Sequence, residues 1–279
     1  MSAIREWADA TSSAEQSVED VTFFPDTYSR GFRSLVLLGS AGIGAAGAFA
    51  IAPGAADADI AWKCLGVAAF LGGLLSTWSP CGYSSVSLLR PVGHSPAAVV
   101  RWLPTFVTHA LGYAAGAVIL GGGLALLGQF LGLSGMTNAV LAVLAVVGLV
   151  YGAHQLDFLR VPYPQRRAQV PHDARQRFPM WVIGALYGLA LGLNYLTYVQ
   201  TPLLYVVTLA AAASGEVGAA IGLFAIFNLG RFLPLVVNAL PVKDYVVQAW
   251  MARNQERAAM FDGAVLVALG AAFAVLVLS

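Results

Sequence analysis

Residues 71–91 read LGGLLSTWSPCGYSSVSLLRP, and their reading decides how the rest of the chain must be arranged. They lie in an apolar run over residues 61–89, yet they carry Ser76, Thr77, Ser79, Pro80, Cys81, Ser84, Ser85 and Ser87. A straight helix over that run would extend ~43 Å at ~1.5 Å per residue, well beyond the ~30 Å hydrocarbon core of a bilayer. Pro80 has no N–H to give the Ser76 carbonyl, so the helix is expected to bend or break there. Inside a membrane, broken backbone persists only where protein or a wet cavity covers it. A thiol, Cys81, stands at the break.

Working outward, 58% of the chain is hydrophobic and only 10% is charged, with the apolar residues in long blocks that soluble domains do not show. The expected fold class is an all-α polytopic membrane protein. Seven spans are predicted, at residues 34–53, 61–89, 102–130, 136–156, 180–213, 216–240 and 258–278. A net charge of +1 and the lack of a basic stripe interleaved with aromatics give no nucleic-acid surface. Seven alternating spans put Arg5, Arg30, Arg33, Arg90, Arg101, Arg160, Arg166, Arg167, Arg175, Arg177, Lys243, Arg253 and Arg257 on one face. Lys63 falls on the other face and Arg231 within a span. Because basic loops stay cytoplasmic, the expected location is a bacterial inner membrane, with the N-terminus cytoplasmic and the C-terminus periplasmic.

Residues 1–33 are polar and rather acidic, and the first span (34–53) reads as a retained extra anchor. Residues 61–156 hold three spans, and residues 157–179 form a proline-rich, basic linker suited to anionic headgroups of the lipid bilayer. Residues 180–279 hold three more. Within them, LGLNYLTYVQTPLLYVV (residues 191–207) repeats the pattern of residues 71–91: an over-long apolar run, loaded with polar groups, with a small hydroxyl before proline at Thr201–Pro202. Leu111–Gly112 and Leu229–Gly230 follow the two prolines at similar distances. Three spans per half is an odd number, so the second copy enters the membrane upside down. The expectation is therefore a 3+3 inverted repeat in which two broken helices meet near the midplane.

Each candidate residue has a functional and a plain structural reading. Cys81 beside a helix N-terminus is either a reactive thiol or a packed core residue. Arg231 within a span is a functional ion, a snorkelling side chain, or a partner of Asp262. His109 is a proton carrier or the donor of one structural hydrogen bond. Ser79, Pro80, Asn194, Tyr198, Gln200, Thr201 and Pro202 line a cavity at the two breaks or act as polar glue between helices. Gly184, Gly188 and Gly192, spaced four apart, let helices approach closely. The four histidines have no ligand spacing, and neither a phosphate loop nor paired carboxylates occur, so neither a metal nor another cofactor is expected.

Ser79–Pro80–Cys81 and Leu229–Gly230–Arg231–Phe232–Leu233–Pro234 resemble the membrane domain of the CcdA/DsbD (cytochrome c biogenesis) family. More closely, TWSPCGYSS, PYPQRRAQVPHDARQRFPMW and NYLTYVQTP are similar to the methylamine-utilisation branch of that superfamily. The resemblance implies a six-span core plus one added span. It also implies an accessory protein, rather than a turnover enzyme, that serves the maturation or assembly of periplasmic methylamine dehydrogenase. The implied partners are periplasmic thioredoxin-like or dehydrogenase-maturation proteins, with Cys81 handling thiols. Relay members carry one intramembrane cysteine per half, whereas the position matching Cys81 in the second half is Leu203. Cys64 lies ~25 Å away along a helix, against the ~7 Å that a disulfide bridges. Two other functions remain open: a small-solute transporter or export factor using the broken-helix cavity, and a non-catalytic scaffold for maturation proteins.

Overall fold

The structure is a computed structural model and describes residues 28–51, 57–93, 95–133, 135–164 and 177–278. Its regular elements among these residues are all helices, and the protein is an all-α polytopic membrane protein. In chain order, α1 is Arg30–Ile51, α2 is Asp57–Leu75, α3 is Pro80–Leu88 and α4 is Pro96–Phe130. Then come α5 (Asn138–Gln155), α6 (Met180–Gly192), α7 (Leu203–Ala213), α8 (Val217–Phe232), α9 (Asp244–Arg253) and α10 (Gln255–Leu278). Among the described residues six helical stretches are long and apolar enough to cross a membrane, while α6 and α7 are short apolar helices. Their outward faces carry bare aliphatic side chains: Leu35, Leu38 and Ile43 on α1, and Val118 and Ile119 on α4. Such faces suit lipid and would aggregate in water.

The spans differ from expectation where local chemistry extends or cuts them. Helix α1 begins at Arg30, one turn before the predicted boundary. The reason is that the buried Arg33 pairs with Asp157 after α5 at 2.9 Å and with Glu256 of α10 at 3.1 Å, clipping the added helix to the bundle. Helix α4 starts early because the Ser95 hydroxyl accepts from the Ala98 N–H, with Pro96 in the first turn. The sixth span changes from α-helix to a tighter 3-10 stretch at Leu233–Ala239, where Pro234 cannot donate to the ladder. Helix α9, unforeseen in the sequence, turns Val246, Val247, Trp250 and Met251 toward the bundle. The polar segment before Tyr28 and the arginine-rich part of the linker at residues 165–176 lie outside the described residues.

Four close helix pairings place the centre. Helix α4 packs along α6, α2 along α8, α5 along α10, and α1 on the outside of α10. Glycine makes two of them possible. A methyl at Gly73 would overlap the Phe227 carbonyl, and one at Gly230 would overlap the Phe70 carbonyl, so the α2 and α8 backbones touch. Gly188 and Gly192 do the same against His109 and Tyr113 of α4, as the four-residue glycine spacing predicts. The largest core cluster joins Leu75, Val199, Leu203 and Phe227, from both interrupted segments and α8.

Candidate functional site at two interrupted helices

The first interruption follows from Ser79 and Pro80. Helix α2 ends at Leu75, a 3-10 turn covers Ser76–Trp78, and Ser79 is extended at φ −76, ψ 155. The Ser79 hydroxyl donates to the Ser76 carbonyl at 2.6 Å and accepts from the Gly82 N–H at 3.3 Å, so it terminates one helix and caps the next. Pro80 takes the first position of α3, where a missing N–H costs nothing. Cys81 follows at the second position, wholly buried. Around it pack Trp102, Tyr113, Ile183, Leu191 and Leu235, with Tyr198 against the same cluster. Tyr113 lies within electrostatic reach of both Cys81 and Arg231.

The second interruption is longer, running from Leu193 to Pro202 between α6 and α7. Asn194 turns the chain there in the left-handed region, at φ 56, and is fully buried. Its amide donates to the Gly192 carbonyl at 2.9 Å and to Asn228 Oδ1 at 3.0 Å. Its own Oδ1 accepts from Arg231 Nη1 at 3.0 Å, and that nitrogen also donates to the Leu191 carbonyl at 2.9 Å. Arg231 Nη2 donates to Thr197 Oγ1 at 3.3 Å, while Nε has no partner. Among the described residues no carboxylate lies within 4.0 Å of this guanidinium. A buried cation held only by neutral oxygens is an electrostatic feature suited to a nearby anion.

Asp262 forms a separate centre. Thr201 donates to its Oδ1 at 2.7 Å, and Gln155 Nε2 donates to its Oδ2. The expected alternative of an Arg231–Asp262 pair is therefore corrected: Arg231 donates to Asn194 and Thr197, and Asp262 accepts from Thr201 and Gln155. Gln200, Thr201 and Asp262 line one small crevice together with Leu75 and Trp78 of the first interruption. The two interruptions thus meet. Above them the loop residue Tyr163 stacks on Tyr151 and Tyr205, and burial, with the Asp262 carboxylate second, pushes its phenol well above the ordinary range.

The remaining candidates fall nearby. His109 Nδ1 is 2.9 Å from the Gly184 carbonyl, and its ring meets Tyr113 edge-on at 5.0 Å. Pro202 is buried immediately before α7, with Tyr198 on the Cys81 side of the same segment and Gln200 on the Asp262 side. Cys64 belongs to the other cluster, is partly exposed, and is not in a disulfide with Cys81. Among the described residues no group of acidic, histidine and cysteine side chains could hold a metal ion. Sequence reasoning passed over Asn228, Thr197 and Tyr113, and weighed Asp262 only as a partner for Arg231. An acid inside the apolar part of α10, past its polar first turn, was the available signal.

Comparison with known proteins fits this arrangement to a family. The chain is 62% identical, over 97% of its own length and 97% of the other, to the methylamine utilization protein MauF of Paracoccus versutus. The chain belongs to the MauF family. The MauF of Paracoccus denitrificans is 62% identical over 96% of each chain, and that of Methylorubrum extorquens 57% identical over 92% of this chain and 90% of the other. No family model and no solved structure matches this MauF family member.

Proposed function

We propose that this protein is an inner-membrane accessory factor for methylamine utilisation, serving the maturation or assembly of periplasmic methylamine dehydrogenase by thiol handling at Cys81. The observation that carries the reading is the position of Cys81: second residue of a helix that begins inside the bundle, in one cluster with Tyr113, Tyr198 and Leu191. In the proposed step the Cys81 thiolate attacks a partner disulfide. The Cys81–partner S–S bond forms as the partner's own S–S bond breaks, and the second partner sulfur leaves as a thiolate and takes a proton. A further thiol must resolve the mixed disulfide. This chain has only Cys64 besides, so the resolving thiol belongs to a periplasmic thioredoxin-like or maturation protein.

The bundle is read as a 3+3 inverted repeat over residues 61–156 and 180–279, behind an extra helix at 34–53 and around a cytoplasmic linker at 157–179. Exchange of the halves maps the α2–α8 packing onto α6–α4 and returns α5–α10 to itself, which supports this reading. The segregation of arginines supports a cytoplasmic N-terminus and a periplasmic C-terminus.

The test is Cys81→Ser in a host growing on methylamine. Loss of dehydrogenase activity, together with a Cys81-dependent mixed disulfide trapped by alkylation in the wild type, is the expected result. Full activity in the variant would sink the thiol reading and leave a scaffold. A second reading, a small-solute transporter or export factor, is favoured by the two buried charged side chains at the interruptions, Arg231 and Asp262. It requires solute flux in vesicles that fails in Asp262→Asn.

A further inference from the structure

Between the turn that follows α3, the first turns of α4 and the start of α6 lies a pocket of about 330 Å³. Its lining is of two kinds. Arg90 and Arg101 supply two guanidinium groups, Val92, Trp102 and Met180 supply apolar surface, and no carboxylate lines it. Arg90 is held in place: its Nη1 donates to Asp244 Oδ1 at 3.2 Å and its Nη2 to the Val242 carbonyl. Arg101 is exposed, and among the described residues no carboxylate lies within 4.0 Å of it. Asp244 therefore offsets one of the two cations, and the surplus positive charge rests on Arg101. Trp102 is fixed as well. Its indole N–H donates to the Leu89 carbonyl, and its ring packs on Phe106 with centroids 5.0 Å apart.

We propose that this pocket binds the phosphate headgroup of an anionic phospholipid. The two hydrophobic spans that meet here begin, by their sequence, at residues 102 and 180. Trp102 and Met180 thus stand at the edge of the hydrocarbon, and Arg101 one residue outside it. That is the level at which tryptophan and basic side chains meet headgroups. The planar fork of arginine matches phosphate oxygens, and Trp102 and Met180 offer apolar surface to the glycerol end of the lipid. The volume, at the lower end of the roughly 300–1,000 Å³ of small-molecule sites, admits a headgroup and leaves the acyl chains in the bilayer. A zwitterionic headgroup would bring a second cation to a pocket whose wall holds no carboxylate to receive it, so the net anionic lipid is selected. None of these contacts uses the Cys81 thiol, and the site stands or falls separately from it.

The experiment titrates fluorescent phosphatidylglycerol into the full-length protein in a neutral detergent, with unlabelled phosphatidylglycerol, phosphatidylcholine or inorganic phosphate as competitor. Saturable binding, displaced by phosphatidylglycerol and by neither of the others, is expected for the wild type. Arg101→Gln weakens it about fivefold, the share of one basic side chain at a membrane surface. Arg253→Gln removes another exposed arginine that has no carboxylate within 4.0 Å among the described residues, and leaves binding unchanged. Equal weakening by both variants would reduce the effect to diffuse surface charge. Displacement by phosphatidylcholine as readily as by phosphatidylglycerol would remove the charge selection, and displacement by inorganic phosphate would assign the pocket to a soluble anion. Any of these three results would overturn the proposal.

Discussion

The Arg231 guanidinium donates to the Asn194 side chain at 3.0 Å, so the only charge in α8, in its last turn, is tied to the residue that turns the second interrupted helix. The tie runs both ways. Asn194 needs its left-handed backbone to present its amide, and Arg231 needs that amide because no carboxylate is at hand.

Two substitutions at Asn194 therefore differ. Asn194→Gly keeps the φ of 56 easily and loses only the side-chain bonds, whereas Asn194→Ala loses both. Glycine should cost about 1–3 kcal/mol from the unpaired Arg231 and Asn228 groups, and alanine about 1 kcal/mol more. Thermal melts in one detergent give the order. Equal melting of the two variants would contradict a strained turn.

Gly73→Ala and Gly230→Ala push apart backbones already in contact, and each should cost about 1–3 kcal/mol by overpacking. Gly39→Ala is the control, since a methyl there meets nothing within 4 Å. It should be neutral or slightly stabilising by helix propensity, up to about 1 kcal/mol. Size-exclusion profiles and melting temperatures decide between crowding and propensity.

Thiol reagents should separate the two cysteines. Cys64 is partly exposed and Cys81 is fully buried, so a small maleimide modifies Cys64 first in the folded protein. Ser79→Ala removes the cap that starts α3, a loss of about 1 kcal/mol, and should raise Cys81 labelling several-fold without altering Cys64. Mass spectrometry of each cysteine-bearing peptide reads both rates.

Asp262→Asn retains size and one carbonyl acceptor, so the fold should survive with a change of about 1 kcal/mol or less. Asp262→Ala strands Thr201 and Gln155 and should cost about 2–4 kcal/mol. A melt in which asparagine and alanine are equally damaging would show that these bonds contribute little.

Arg33→Ala should loosen α1 from the bundle. The Asp157 partner is 65% exposed and contributes little, so the loss comes chiefly from Glu256, at about 1–2 kcal/mol. Faster proteolysis ahead of α2, with the core intact, is the expected signature.

The sequence alone determined the features that depend on local cost. Apolar runs must meet lipid or core, Pro80 cannot donate, and the polar groups crowded before Pro202 cannot sit in an unbroken lipid-facing rod; these located both interruptions and placed Cys81 at one of them. It could not determine partners. Arg231 finds Asn194 from 37 residues away and Thr201 finds Asp262 from 61, and both choices depend on where helices cross. Those crossings are set by backbone contacts at Gly73 and Gly230, which no periodicity announces, and at Gly188, whose four-residue spacing marks a close approach without naming the helix that makes it. Tertiary packing also decided that α9 folds back as one wall of an apolar cavity beside the first interruption, since a cavity is a property of the neighbours and never of the segment itself.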